Sequence, residues 1–218
     1  DKIGIEPRVF QPSNCGIQID WNSEFAEKYA GTPLKNIGVK TKEGYLKGEA
    51  LITRYGLEGN VIYPVSAVLR NELQTKGNAQ ILLDFKPNNT TERLVAKVRN
   101  KNVLPKNYGY VFNLDKASMG IVKQQLDKPS FLDPKKVAKL LKQLPITVLG
   151  LRSVEESIST VGGISMDKIN DRFELKAHPH IAVIGEMLDW DAPTGGFLLQ
   201  GCFSTGYAAS MAWINKQE

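Results

Sequence analysis

The sequence predicts a protein of mixed α and β structure, of the α+β or α/β class, and three observations predict it. Most of the first hundred residues form short apolar runs separated by turn residues, as strands do. Residues 88–144 instead carry helical patterns with polar loops, and from residue 145 onward short β-branched runs return. We therefore predict one strand-rich domain over residues 1–150, whose part 88–144 is mostly helical, and a second domain over residues 151–218.

The first clear element is a β-hairpin. Ile37 and Val39 alternate with small or charged neighbours, and the Lys-Glu-Gly sequence at 42–44 supplies a turn. One side of the next strand is formed by Leu46, Gly48, Ala50 and Ile52. The two strands are therefore expected to pair with each other.

A helix and a strand follow the hairpin. Residues 56–60 break the strand pattern, and Asn60 is placed to cap a helix. That helix is indicated by apolar residues at helical spacing: Ile62, Val65, Leu69 and Leu73. After a turn at 76–78, residues 79–85 read as a strand.

The middle of the chain predicts two or three short helices that form a lid or an appendage. Asp133-Pro134 is a good helix start. The aspartate carboxylate can accept hydrogen bonds from backbone N–H groups of the first turn, and proline lacks only a backbone N–H that would have no acceptor there. After it, residues 146–149, 158–164 and 181–184 are short, β-branched and bounded by turns, as in strands buried on both faces.

Residues 197–214 carry no formal charge, yet their glycines and hydroxyl residues make them too polar for a lipid span. We expect a helix buried in protein, and no membrane partner. The two cysteines lack the spacing of a zinc site or a disulfide framework, which favours a reducing cytoplasm. His178 and His180 are expected to be loop residues, so no metal site is predicted. The net charge is +5, but acids and bases are interspersed, and we do not expect nucleic acid as a partner.

Residues 185–197, GEMLDWDAPTGGF, combine acidic residues, a proline and two adjacent glycines between a strand and a helix. Ligands of open α/β sheets bind at the carboxyl ends of strands, and a helix start near Thr194 presents unpaired N–H groups and positive potential. Glu186 can accept hydrogen bonds from a ribose or ribityl diol. The pattern predicts a site for an anionic or electron-rich group. Two alternatives stay open: Asp189 or Asp191 only caps the helix, and Gly195-Gly196 only turn the chain.

The same residues carry a resemblance that covers nearly the whole chain. Its strongest parts are STVGGI at 159–164, IGEMLDWDAPTGGF at 184–197 and STG at 204–206. They resemble the carboxyl-terminal signature of bacterial BaiN/YhiN-type flavoproteins, NAD(P)/FAD-dependent relatives of aminoacetone oxidase. The inserted domain of that family is resembled by PSNCG at 12–16, GTPLKN at 31–36 and GEALITRYGLEG at 48–59.

The resemblance implies a cytoplasmic FAD-dependent oxidoreductase that acts on a small-molecule substrate, with NAD(P)H as a candidate electron donor. Its Rossmann-like FAD-binding domain would be interrupted by the strand-rich domain and completed by the carboxyl-terminal strands and helix. The implied cofactor-binding residues are Gly162, Gly163, Gly185, Glu186, Thr194, Gly195, Gly196 and Phe197. Gly185 and Glu186 would lie by the ribityl and pyrophosphate region, and 194–197 by the pyrimidine edge of the flavin.

On the substrate side the resemblance implies Asn14 and Cys15, and Arg54 and Tyr55 are further candidates for contact with an anionic substrate. Cys15 has the alternative of being a small buried residue. Electron transfer by a flavin requires no acid/base pair from the protein, so no catalytic residue is assigned.

The sequence contains no GxGxxG turn, the motif that holds the pyrophosphate of the cofactor in this family. We therefore expect this chain to be a carboxyl-terminal portion, inactive alone, whose partner is a GxGxxG half of the same protein. The alternative is a non-enzymatic binding module that lacks flavin. A nucleic-acid binder is a third reading and depends only on the basic composition.

Overall fold

A computed structural model describes residues 4–99 and 103–215 of the chain. The chain divides into two units. Unit 1 consists of Asp1–Cys15 and Arg152–Glu218, and unit 2 of Gly16–Leu151. The chain thus leaves unit 1 after Cys15 and returns to it at Arg152, whereas the sequence assigned all of residues 1–150 to one domain.

The described residues form eleven β-strands and eight α-helices. The strands are β1 Arg8–Ser13, β2 Ile17–Gln18, β3 Pro33–Thr41, β4 Gly44–Ile52, β5 Gly56–Glu58, β6 Ala79–Asp84, β7 Leu144–Val148, β8 Gly150–Leu151, β9 Ser159–Gly163, β10 Glu174–Leu175 and β11 His178–Ala182. The helices are α1 Ser23–Tyr29, α2 Ser66–Lys76, α3 Thr91–Arg99, α4 Tyr108–Phe112, α5 Lys116–Gln124, α6 Lys128–Leu132, α7 Pro134–Leu140 and α8 Gly196–Ile214. The mixed α and β class predicted from the sequence is confirmed.

Unit 2 is built on one antiparallel sheet of seven strands in the order β7-β6-β3-β4-β5-β2-β8. The predicted hairpin is confirmed as β3 and β4, with Ile37 opposite Gly48 and Val39 opposite Leu46. Residues 56–60 were predicted to break the strand pattern. Instead, Gly56–Glu58 forms a further strand, β5, between β4 and β2. A Cβ at Gly56 would overlap the carbonyl oxygen of Ile17, so only glycine lets these two strands pair.

The helix predicted after the hairpin exists, but its predicted cap was wrong. A 3-10 turn, Tyr63–Val65, comes first with Pro64 at its start, and α2 begins only at Ser66. Asn60 instead accepts a hydrogen bond from the backbone N–H of Glu49 at 2.9 Å. The predicted strand at 79–85 is confirmed as β6.

In the middle of unit 2 the described residues form five short α-helices, α3 to α7, where two or three were predicted. The number is larger because separate aspartate caps start α5, α6 and α7. The predicted start at Asp133-Pro134 is confirmed, with the Asp133 carboxylate 2.8 Å from the N–H of Lys135. These helices bury Tyr108 and Phe112 completely.

The described residues of unit 1 form two small antiparallel sheets, β1-β9 and β10-β11. Its apolar core in the described residues is small and consists of Ile169, Leu175, Val183 and Leu188. The prediction that the strand near 181–184 is buried on both faces was wrong: β11 lies at His178–Ala182 and is largely exposed. Its partner β10 is hydrogen-bonded to it within the same sheet, and such pairing satisfies the edge of a strand but does not cover its faces. The two histidines lie in this strand and not, as predicted, in a loop.

The uncharged stretch forms α8, but the prediction that this helix is buried was wrong. Ala209 is its buried residue in the described structure. Large apolar side chains that are more than half exposed are Phe197, Leu199, Phe203, Tyr207 and Ile214. No helix among the described residues combines the length and apolarity needed to cross a bilayer.

Candidate functional site

The loop before α8 is tied to the first strand of unit 1. The guanidinium of Arg8 lies 2.7 Å from the carboxylate of Asp189, and the hydroxyl of Ser13 donates to the carboxylate of Asp191 at 2.6 Å. Both acids are therefore engaged with β1. The alternative that one of them caps α8 is wrong, because the N-cap is Gly195, which has no capping side chain.

Asn14 is the second anchor of this loop. Its Nδ2 donates to the Oγ of Ser159 and to the carbonyl oxygen of Ala192, both at 2.7 Å. Its Oδ1 accepts from the backbone N–H of Thr194 at 3.1 Å. The residue is buried and left-handed, with a φ of 50°, a conformation that asparagine tolerates better than most residues. Asn14 thus fixes the chain just before the helix.

The start of α8 is open. Gly195 has a φ of 91°, so the turn itself requires glycine there. Gly196 has no such requirement, and a Cβ at either glycine would meet no atom within 4 Å. The first N–H groups of a helix have no intrahelical acceptor, and they carry roughly half a positive elementary charge. Phe197, the next residue, is 71% exposed. This helix start can therefore donate to an anionic or electron-rich group.

Gly185 serves the packing of α8 against the preceding strand segment. Its N–H donates to the hydroxyl of Thr205 at 3.0 Å, and its carbonyl accepts from the indole of Trp190 at 2.9 Å. A Cβ at Gly185 would lie 3.3 Å from the sulfur of Cys202. Glu186 follows and is exposed, so its carboxylate is accessible to a ligand.

Gly162 and Gly163 are required by the protein's own backbone. Their φ values are 116° and 107°. A Cβ at Gly162 would lie 2.6 Å from the carbonyl oxygen of Val9, and one at Gly163 would lie 2.5 Å from that of Met187. These glycines therefore have a packing reason, and their contact with a cofactor stays a prediction.

The predicted substrate-side residues fall in both units. Asn14 and Cys15 belong to unit 1 and are buried, which agrees with the alternative that Cys15 is a small buried residue. Arg54 and Tyr55 belong to unit 2, where Arg54 is exposed and the hydroxyl of Tyr55 donates to Glu58 at 2.6 Å. Their contact with a substrate stays a prediction.

Sequence reasoning missed the residues that hold the site in place, Arg8, Ser13 and Ser159. Each of them contacts a residue that is 145 to 181 positions away in the sequence. Ser159 comes close to Asn14 because it pairs with the preceding residue, Ser13, in the β1-β9 sheet. No local pattern predicts such a pairing. In the part of the chain that the structure describes, no three His, Cys, Asp or Glu side chains form a metal-binding group.

Comparison with protein families gives two matches. The first covers residues 11–159 and is described as the barrel and H2TH domain of HI0933-like proteins. The second covers residues 129–212 and is described as the Rossmann domain of the same proteins, which confirms the Rossmann-like part of the predicted fold. The chain belongs to the HI0933-like family, a family of FAD-dependent oxidoreductase-like proteins.

Proposed function

We propose that this chain forms part of the FAD site of a flavoprotein oxidoreductase of the BaiN/YhiN, aminoacetone-oxidase-like type. The observation that carries the proposal is the open start of α8, where two glycines leave backbone donors uncovered. The family match supports an oxidoreductase with a flavin. NAD(P)H as electron donor and a small-molecule substrate are parts of the same proposal.

The residues at this helix start fit a flavin. Space for close approach exists at Gly195 and Gly196, because side-chain positions there would meet no other atom. Phe197 offers an exposed aromatic ring beside them. The N–H of Thr194 is already used by Asn14, so the donors left for a ligand are those of residues 195 and beyond.

When bound, FAD would supply the electron transfer that defines the reaction. The helix start would stabilise negative charge on a ring edge in contact with it, by about 1 kcal/mol and more where water is excluded. Glu186, which accepts but does not donate when ionised, would bind hydroxyl groups of the ribityl chain. Asn14 would act as a positioning residue that holds the loop and so the direction of the donors.

The proposal includes a second polypeptide region as partner. The sequence has no GxGxxG turn, so the pyrophosphate would be held by a domain that carries one. We propose that this domain covers the exposed apolar side of α8, formed by Phe197, Leu199, Phe203 and Tyr207. Removal of such apolar surface from water is favourable by roughly 25 cal/mol per Å² before the entropic cost of association is counted. Without that domain we expect the chain to be inactive.

The test compares two glycine-to-valine variants in a polypeptide that also carries a GxGxxG domain. Gly196→Val places a side chain where we propose the flavin lies. Gly44→Val is the matched control, because Gly44 also lacks a positive φ and has no atom within 4 Å of a Cβ. We expect Gly196→Val to weaken FAD binding at least about tenfold, which corresponds to ~1.4 kcal/mol. Titration of apoprotein with FAD, followed by flavin fluorescence, measures the affinity.

The Gly44→Val protein should bind FAD as the unsubstituted protein does. Equal affinity of all three proteins would contradict the proposed position of the flavin. Failure of the unsubstituted protein to bind FAD at all would contradict the proposed function itself.

A further inference from the structure

The basic residues of this protein are concentrated in one segment. Residues 86–142 of unit 2 contain 13 lysines and arginines and 4 acidic residues, a net charge of +9. The rest of the chain contains 15 basic and 19 acidic residues, a net charge of −4. The excess positive charge of the whole protein therefore lies in its helical segment. This is not obvious from the full sequence, because acidic and basic residues are interspersed over most of it.

The few acids of this segment are engaged with helix starts. Asp115 accepts from the N–H and the hydroxyl of Ser118, at 2.7 and 2.9 Å. Asp127 and Asp133 accept from the first N–H groups of α6 and α7. Among the described residues, the one basic side chain of the segment that forms an ion pair is Lys142, with Asp84. The other described lysines of the segment form no ion pair within 4 Å, although Asp115 and Asp127 attract Lys86 and Lys136 at longer range.

Six lysines surround the connection between α4 and α5. Three adjoining depressions of about 250, 350 and 800 Å³ meet at this connection and share Leu114 as a lining residue. We call the area the basic surface; its lysines are Lys35, Lys86, Lys97, Lys106, Lys116 and Lys123. Asp115 is the acid that lines these depressions, and it is held by Ser118. The surface is therefore concave and strongly positive.

Lys86 is part of a fixed framework and not a mobile surface side chain. Its ammonium group donates to the carbonyl oxygen of Asn113 at 2.6 Å, and its own carbonyl accepts from Lys142 at 2.7 Å. Burial, and to a smaller extent the positive charge of Lys97, lower the pKa of Lys86, and the negative charge of Asp115 offsets only part of this effect. An anion at this position would relieve that repulsion.

An aromatic side chain stands beside the lysines. Tyr110 lines the largest depression together with Lys97, and it is 92% exposed. Lysines that neutralise a phosphate backbone, beside an exposed ring on which a base stacks, are the features of sequence-tolerant single-strand binding. Asn88, Asn89 and Asn113 add amide donors and acceptors to the smallest depression. Two other anionic partners fit the surface less well. An acidic protein offers no base to stack on Tyr110, and a lipid bilayer is flat whereas this surface is concave.

We propose that the basic surface binds single-stranded nucleic acid, with the six lysines in contact with phosphates and Tyr110 stacked on a base. This activity is independent of the flavin site. Nucleic acid was not predicted as a partner from the sequence, because acidic and basic residues are interspersed along the chain as a whole.

The test measures binding of a fluorescent single-stranded DNA of mixed sequence by anisotropy over a series of salt concentrations. One triple variant, Lys97→Gln/Lys106→Gln/Lys116→Gln, removes three charges from the basic surface. The matched control, Lys40→Gln/Lys76→Gln/Lys168→Gln, removes three lysines outside it, so that the change in net charge is identical. A third variant, Tyr110→Ala, removes the ring and leaves the charge.

We expect the surface triple variant to bind at least about tenfold more weakly and to reduce the salt dependence of the logarithm of the binding constant by about 2. Tyr110→Ala should weaken binding by roughly tenfold, and Tyr110→Phe should restore it. The control triple variant should stay within about twofold of the unsubstituted protein, since its lysines make no phosphate contact.

Three results would overturn the proposal. The first is absence of binding at low salt, and the second is an equal loss in both triple variants, which would indicate only net charge. The third is binding of polyglutamate, or of vesicles that contain phosphatidylserine, at least as tight as that of the DNA and equally sensitive to the surface variants. Circular dichroism of each variant checks that it is folded.

Discussion

The Nδ2 of Asn14 lies 2.7 Å from the Oγ of Ser159, although 145 positions separate these residues. The same side chain binds Ala192 and Thr194, so one amide links the first strand of unit 1 to the loop before α8. We predict that Asn14→Ala lowers the free energy of local opening of residues 188–196 by about 2 kcal/mol, because buried hydrogen bonds are lost. Hydrogen exchange followed by mass spectrometry measures that opening.

The matched control for this prediction is Asn36→Ala. Asn36 also has a φ of 50°, but it is exposed, so alanine there tests the left-handed backbone without the three hydrogen bonds. An equal change in the exchange of 188–196 in both variants would contradict the role of Asn14.

Gly201 and Gly206 of α8 should respond in opposite ways to alanine. A Cβ at Gly201 would overlap the six-membered ring of Trp190, whereas one at Gly206 would lie 3.7 Å from the nearest atom of Ile184. We predict that Gly206→Ala stabilises unit 1 by up to about 1 kcal/mol through helix propensity. Gly201→Ala should destabilise it by ~1 to 3 kcal/mol, since Trp190 must move. Urea unfolding, followed by tryptophan fluorescence, separates these outcomes, and stabilisation by both substitutions would refute the packing.

The ion pair between Lys142 and Asp84 should contribute to the stability of unit 2. The two charged atoms are 2.6 Å apart, and the side chains are only 16% and 7% exposed. We predict that Lys142→Met costs about 3 kcal/mol, because it leaves a buried carboxylate without its cation. The double variant Lys142→Met/Asp84→Asn should recover part of that loss. Chemical denaturation measures both, and an additive double variant would argue against coupling.

Tyr45 should make unit 2 sensitive to high pH. Its hydroxyl donates to Asp84 at 2.9 Å, and burial, followed by this bond and the charge of Asp84, raises the pKa of Tyr45. The unfolded chain then loses the tyrosine proton from about pH 10 upward while the folded protein keeps it, so stability falls as pH rises above that value. Tyr45→Phe lacks this contribution, and its stability should decline less steeply above about pH 10. Parallel slopes in denaturation series at several pH values would contradict the prediction.

Local pattern was sufficient where an element is specified by its own residues. The β3-β4 hairpin follows from alternation and a turn sequence between the strands, and the start of α7 follows from Asp133-Pro134. The burial of α8 could not be predicted this way, because an uncharged sequence indicates that a helix can be covered but not what covers it. The cap of α2 failed for a similar reason: Asn60 is held by Glu49 of a neighbouring strand.

The candidate site was predictable in part. The sequence located its open glycines, Gly195 and Gly196, because a helix start and a glycine pair are local features. It could not separate them from Gly162 and Gly163, which face the backbone carbonyls of Val9 and Met187. A glycine that leaves space for a ligand differs from one that lets another backbone segment pack closely only in its neighbours in the folded structure.

The pairing of β2 with β8 places Ile17 opposite Leu151, so the chain enters and leaves unit 2 through adjacent strands. Paired residues on antiparallel strands are about 5 Å apart. We therefore expect that residues 16–151 can be deleted and the flanking residues, Cys15 and Arg152, joined by a short turn. The same segment could be inserted into a surface loop of another protein.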